Sequence, residues 1–280
     1  MSDPESEKTE AEVPEPAAAK RSFEVRGTLR AGFALWRAAM GPLMWLAALG
    51  LVASVPLSAL MAITGFDPLV PASYTPLTVA GLGLALILGL PFSIGSAAGS
   101  LIVLQEIAQV GEARTGTLAA FVAGYRCFWR VLGAWLVMGA AAVLAAAPAA
   151  VAWFASDPGA PERPTIAVAL ASIAALVIAI FWVRWTPATA VVVFEQRRPV
   201  QAILRASALT RGRFWRVLGV LAVYAAVSAV AQAVAAMVGG SAETAQILAM
   251  GIQVVLLGPL SAALGFALYM GLARSELPRA

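Results

Sequence analysis

The chain has 280 residues, is 61% hydrophobic and only 12% charged, and has a mean hydropathy of +0.85. A soluble domain averages about 25% charged residues, and no single core of this length needs so much apolar residue, so long stretches must be solvated by lipid. The net charge of +4 is small, and with no His and one Cys the composition excludes an internal disulfide and a Cys/His zinc site.

Residues 1–21 are rich in Glu, Pro, Ala and Ser and carry Asp3, Glu5, Glu7, Glu10, Glu12 and Glu15. This composition buries too little apolar surface to order itself and reads as a disordered, acidic cytoplasmic tail. It lacks a basic segment running directly into a short apolar stretch and cleavage site, so it is not read as a signal peptide. Residues 22–275 read as one membrane domain and 276–280 as a short C-terminal tail.

A bilayer core about 30 Å thick needs roughly 20 apolar residues per helix. Six stretches meet this, at residues 43–64, 77–104, 131–155, 165–185, 217–238 and 245–272. Seventeen of the nineteen cations fall before the first stretch, between the second and third, between the fourth and fifth, or after the sixth, and Arg184 ends the fourth stretch on that same side. Arg163 alone lies on the other side, near Asp157 and Glu162. The positive-inside rule therefore predicts both termini in the cytoplasm, and an odd number of spans would scramble the alternation. The connections at 65–76, 156–164 and 239–244 are too short to fold as domains. Cys127 falls in a cytoplasmic connection and reads as a free thiol at the interface, with a palmitoylated or redox thiol as the alternative.

The hexapeptide Phe128-Trp129-Arg130-Val131-Leu132-Gly133 recurs letter for letter as Phe214-Trp215-Arg216-Val217-Leu218-Gly219. Aligning Leu29, Leu118 and Leu204 brings out a fainter third copy. Trp36 then matches Tyr125, Met40 matches Trp129 and Trp215, and Leu43 matches Leu132 and Leu218. In the first copy Leu29, Phe33, Trp36 and Met40 follow helical spacing beside Arg26, Arg30 and Arg37. In the last, Pro199 suits a helix start. There Val200, Ile203, Leu204 and Ser207 share one face, and Arg198, Gln201 and Arg205 another. Such a helix lies at the headgroup level, with aromatics buried and Arg reaching phosphates.

The return stretches share a second signature. Pro91-Phe92-Ser93, Pro187-Ala188-Thr189 and Pro259-Leu260-Ser261 each read Pro-x-Ser/Thr. Pro removes a donor and frees a carbonyl one turn back, which a hydroxyl or water can satisfy, so each return span is expected to kink or break. The predicted fold is all-α. It has six transmembrane helices in three tandem repeats of interfacial amphipathic helix, outward span and Pro-kinked return span. The kinks either help the helices pack or converge on a cleft formed by Pro91, Ser93, Pro187, Thr189, Pro259 and Ser261. Gly95-x-x-x-Gly99 permits close helix contact.

Catalytic chemistry is hard to find. No Asp, Glu, Lys or Arg stands in the middle of a span, where ion-coupled transport places them. Gln232 and Gln253 are the deep amides and are expected to bond between helices. Gln105, Glu106 and Arg184 end spans, where solvation or ion pairing is the default. Glu195 joins an apolar run to a basic helix, where it pairs with Arg197 or Arg198 or stands near a helix start. There is no Gly-rich phosphate loop, no paired carboxylates at useful spacing and no His base beside the many Ser residues. No metal or other cofactor is expected. The Arg residues track membrane edges, which argues against nucleic-acid binding.

The run Val191-Val192-Val193-Phe194-Glu195, then Pro199-Val200-Gln201-Ala202-Ile203-Leu204-Arg205-Ala206-Ser207, then Thr210-Arg211-Gly212-Arg213-Phe214-Trp215-Arg216 resembles a known family. It is similar to the bacterial membrane domain often attached to glycerophosphoryl diester phosphodiesterases, over residues 22–275. In those fusions the chemistry resides in a separate barrel with His, Glu and a metal, which this chain lacks. The resemblance implies a stand-alone membrane module, and no functional residue is carried over from it. The missing acid, base and metal groups and the Arg- and Trp-rich collar point to a non-enzymatic protein of the bacterial inner membrane that contacts anionic lipids or a protein partner in envelope or lipid homeostasis. The candidate headgroup or partner contacts are Arg126, Trp129, Arg130, Glu195, Arg197, Arg198, Arg205, Arg211, Arg213, Trp215 and Arg216. The alternative is a small transporter or lipid-moving protein working through the Pro-x-Ser/Thr cleft.

Overall fold

A computed structural model describes residues 23–52, 75–155, 163–240 and 242–276. Among them the chain is helical, with no strand. Helix α1 is Val25–Val52, α2 Pro76–Val110, α3 Thr117–Tyr125, α4 Phe128–Ala155 and α5 Arg163–Trp185. Then follow α6 Ala188–Glu195, α7 Pro199–Thr210, α8 Phe214–Val238 and α9 Ala242–Ile252. A π-helical segment Gln253–Leu257 leads into α10, Gly258–Arg274. Six of these helical stretches are long and apolar enough to cross a bilayer, which makes the chain a multi-pass membrane protein.

Local chemistry accounts for the helix ends. Thr75 and Thr78 form a capping box at the start of α2, with Pro76 inside the first turn. Gly111 ends α2 in the left-handed region at φ 89°, donating its N–H to the Ile107 carbonyl at 2.9 Å. Pro199 occupies the first turn of α7.

Two expected breaks are absent. The amphipathic stretch at residues 25–42 and the apolar stretch after it form one continuous helix, α1, that runs through Pro42. The two identical hexapeptides behave differently. Each opens a long helix after a break, at Arg126–Cys127 and at Arg211–Arg213. The sequence reason is Gly212, which takes φ 74° between α7 and α8, where α1 has only Gly41-Pro42 inside the helix. The expected span at 43–64 lies outside the described residues beyond Val52, as do the 1–21 tail, most of the 65–76 connection and Asp157. Helix α2 likewise continues through Pro91, losing one bond while the helix on either side is retained. A break does occur at Thr186–Pro187, between α5 and α6, whereas before Pro259 the helix continues through the π segment.

The core is built from α1, α2, α6 and α10. Leu43, Leu46, Ile94, Leu104, Val191, Val192, Phe266 and Leu268 are all fully buried. The middles of α4, α5 and α8 stay exposed, as at Leu144, Leu176 and Val230. These are surfaces for acyl chains. Between apolar helices in lipid there is little hydrophobic drive, so close backbone approach carries the packing. A Cβ on Gly124 of α3 would stand 2.6 Å from the Gly99 nitrogen and 2.9 Å from the Gly95 carbonyl oxygen of α2. One on Gly239 would stand 2.4 Å from Ala245 Cα, which lets α8 turn directly into α9.

Gly124→Ala is expected to cost about 1–3 kcal/mol through overpacking, read as a lower thermal midpoint in detergent. Gly139→Ala on α4, where an added Cβ meets nothing within 4 Å, should hold or raise the midpoint, since Ala favours a helix by about 1 kcal/mol. Equal midpoints for the two variants would show that the α2–α3 contact is loose.

Candidate functional site

The hexapeptide copies place their residues alike. Trp129 and Trp215 are 78% and 79% exposed, while Val131 and Val217 are fully buried. Arg130 donates from Nη1 to the Gln196 carbonyl at 2.9 Å. Gln196 ends α6 in the left-handed region at φ 50°, so its carbonyl has no helical partner. Arg216 donates from Nη1 to the Phe23 carbonyl at 2.6 Å, just ahead of α1. The Phe23 ring is buried against Gly271 of α10. Each repeated Arg thus holds the backbone leading into another amphipathic stretch. Gly133 meets Pro199 at the same junction, where an added Cβ would lie 2.6 Å from its ring.

Glu195 gathers a second cluster at this end. It stands at the last residue of α6, where the helix dipole disfavours an acid, so cations around it are required. Arg197 Nε lies 2.8 Å from Oε2 and Arg205 Nε 3.5 Å. The Tyr269 hydroxyl of α10 donates to Oε1 at 3.4 Å. Arg205 also pairs with Glu276 at 2.6 Å. Burial opposes the charge on Arg205, but Glu276 and Glu195 outweigh it and hold the guanidinium above its ordinary pKa. Arg213 donates to the Leu209 and Ser275 carbonyls at 3.4 Å. Arg198 does not join Glu195.

The expected Arg contacts therefore divide in two. Arg130, Arg197, Arg205, Arg213 and Arg216 hold protein groups. The side chains of Arg126, Arg198 and Arg211 are exposed and have no hydrogen bond or ion pair with a described residue. The amphipathic helices also differ from expectation. In α7 the buried face is small, with Ala202, Ile203, Ala206 and Leu209, whereas Val200 and Leu204 are 56% and 65% exposed. In α3 Ala120 and Gly124 are buried, and Leu118 and Val122 face outward. Packing against the bundle takes the alanines and glycine together with Ile203 and Leu209, and leaves Leu118, Val122, Val200 and Leu204 for another apolar phase. The Leu29–Met40 stripe shifts only in part, since Leu29 and Trp36 pack against the core. Thr28, Gly32, Ala39 and Leu43 face neighbours, and Phe33 is exposed. Cys127 is half-buried at the α3–α4 joint.

A cavity of about 560 Å³ lies among α1, α2, the start of α6, the π segment and α10. Ser93, Thr189, Pro259 and Ser261 line it, while Pro91 and Pro187 do not. Ser96, Ser100, Thr186 and Gln253 add polar groups that the Pro-x-Ser/Thr pattern does not contain. Ser93, Ser96 and Ser100 are spaced three and four apart, which marks one helical face in the sequence. Thr186 carries no signal beyond its place before Pro187. The Ser96 hydroxyl donates to the Leu46 carbonyl and so ties α2 to α1. Neither Gln232 nor Gln253 bonds between helices among the described residues. Both are exposed, and Gln253 is turned onto the cavity by the wide π turn. Glu106 instead closes the α2–α3 loop, accepting from the Thr115 amide at 2.9 Å and from its hydroxyl. Among the described residues no three His, Cys, Asp or Glu side chains gather as a metal site would require.

Compared with known proteins, the chain matches no family model, no curated protein and no solved structure.

Arg216→Gln should free the Phe23 carbonyl and speed amide hydrogen exchange over residues 23–30. Arg211→Gln, which removes a cation without a protein partner, should leave it unchanged. Identical exchange in both variants would mean that the Arg216 bond does not hold this segment.

Proposed function

We propose that this chain is a non-enzymatic inner-membrane protein that binds anionic lipid through a collar of Arg and Trp at the cytoplasmic end of its helices. It is read as a stand-alone form of the membrane module that the sequence resembles, built from three units with both termini in the cytoplasm and acting in envelope or lipid homeostasis. The observation that carries the reading is the company kept by the partnerless cations. The Arg126, Arg198 and Arg211 side chains are exposed and unpaired among the described residues, and within a few residues of them in the sequence come the exposed indoles of Trp129 and Trp215 and the exposed side chains of Val122 and Val200. Indoles and aliphatic side chains suit the headgroup–acyl boundary, and a guanidinium above them reaches phosphate. The paired Arg residues at the same end supply the rigid frame. A protein partner could use the same cations, and co-purification of one stoichiometric protein without lipid enrichment would favour that reading.

Each juxtamembrane cation contributes about 1 kcal/mol near an anionic leaflet. The triple change Arg126→Gln, Arg198→Gln and Arg211→Gln is therefore expected to weaken anionic-lipid association by up to ~100-fold at low salt, and less as ionic strength rises. Lipid analysis of native membrane discs carrying the wild-type and triple-variant chains reads this directly. Anionic enrichment that survives the triple change would rule out the collar.

A further inference from the structure

The central cavity presents hydrogen-bonding groups at membrane depth, where such groups are costly and tend to be retained for use. Its volume falls within the range of small-molecule sites. Three features restrict what fits. First, no Asp, Glu, Lys or Arg lines it among the described residues. A charged headgroup there would lose its hydration with no counter-charge to replace it. Second, most hydroxyl protons are already engaged. Ser100, Thr186 and Ser261 donate to the Ser96, Trp182 and Gly258 carbonyls at 2.8, 2.8 and 2.7 Å, and Ser96 donates to Leu46. Their oxygens remain free to accept, so the occupant must bring a donor of its own. The Ser93 and Gln253 side chains have no hydrogen-bond partner among the described residues, and their O–H and N–H groups can serve the occupant's acceptors.

Third, the cavity has a neighbour. A second cavity of about 300 Å³ between α5, α8 and α10 shares Thr186, Ser261 and Gly265 with the first, so the two adjoin. Its remaining lining is largely apolar and ends at Trp182, which is 67% exposed on the outer surface of α5. A mainly apolar chamber with a few hydroxyl and amide groups thus adjoins a second apolar cavity that reaches the outer surface of α5.

We infer that the central cavity holds the head of an uncharged, hydroxyl-bearing lipid of the diacylglycerol class, with an acyl chain leaving past Trp182. The free alcohol supplies the donor, and the ester carbonyls accept from Ser93 and Gln253. This rests on the reading of the chain as a lipid-binding membrane protein, but it uses residues separate from the collar.

The junction offers a clean test. Gly265 lines both cavities, and a Cβ added there meets nothing within 4 Å. Gly265→Leu therefore fills the junction without a backbone clash. The full chain is placed in lipid discs containing a small fraction of diazirine-bearing diacylglycerol, illuminated, and its labelled peptides are mapped. Labelling is expected at 253–265, removed by excess unlabelled diacylglycerol but not by phosphatidylglycerol. Gly265→Leu should cut it about tenfold or more, equivalent to ~1.4 kcal/mol, at an unchanged thermal midpoint. If that variant does not fold, Gln253→Leu, which alters an exposed side chain without partners, gives the same reading. Wild-type labelling in a folded variant, or equal competition by phosphatidylglycerol, overturns the proposal. The triple Arg variant should retain the label. Loss of anionic enrichment with the label intact separates a failure of the collar from a failure of the cavity.

Discussion

Contact between helix backbones at glycine is the interaction on which the rest of this structure depends. In lipid, apolar side chains gain little by leaving one hydrocarbon for another, so helices are held by dispersion at short range and by bonds between backbones. Gly95 and Gly99 of α2 let Gly124 of α3 settle directly on the α2 backbone, and Gly32 of α1 makes the same allowance for Leu264 of α10. The Ser96 hydroxyl, bonded to the Leu46 carbonyl, ties α1 to α2 at a similar depth. These contacts bring α1, α2 and α10 together and leave the longer faces of α4, α5 and α8 to lipid.

The Arg residues show how one residue type serves two purposes. A guanidinium can satisfy backbone carbonyls that helices leave open at their ends. Arg130 does so for Gln196, whose left-handed backbone ends α6, and Arg216 does so for Phe23. Arg205 bridges Glu195 and Glu276, linking the end of α6 and the residues after α10 to the middle of α7. With those groups engaged, the side chains of Arg126, Arg198 and Arg211 have no partner among the described residues, and exposed aromatic and aliphatic residues lie close to them in the sequence. A frame of paired charges under a fringe of free ones suits a surface that contacts phosphate without losing its shape.

Inside the bundle the polar groups follow different logic. The hydroxyls of Ser100, Thr186 and Ser261 bond within their own helices, which makes them tolerable in an apolar setting. That arrangement leaves a chamber rich in acceptors and poor in charge. Irregular backbone at this depth is allowed where it borders a cavity. The π segment at Gln253–Leu257 and the break before Pro187 both lie there.

The sequence by itself determined that the chain is helical and crosses a membrane several times, because hydrocarbon leaves the backbone no other way to satisfy its polar groups. Apolar run lengths also located the long helices to within a few residues, except where the first run fused with the amphipathic stretch before it. The glycine pair 95 and 99 was legible as a contact, but not its partner. Only the tertiary structure decided which Arg residues are engaged, since identical hexapeptides look equally basic until Gln196 and Phe23 are brought to them. It also decided that Val200 and Leu204 face outward while Ala202 and Ala206 face in, because hydrophobic periodicity marks an apolar face without saying whether protein or lipid will cover it. The meeting of Ser93, Thr189, Ser261 and Gln253 around one cavity depends on helices far apart in the chain. No local pattern encodes that meeting, because it is made by packing.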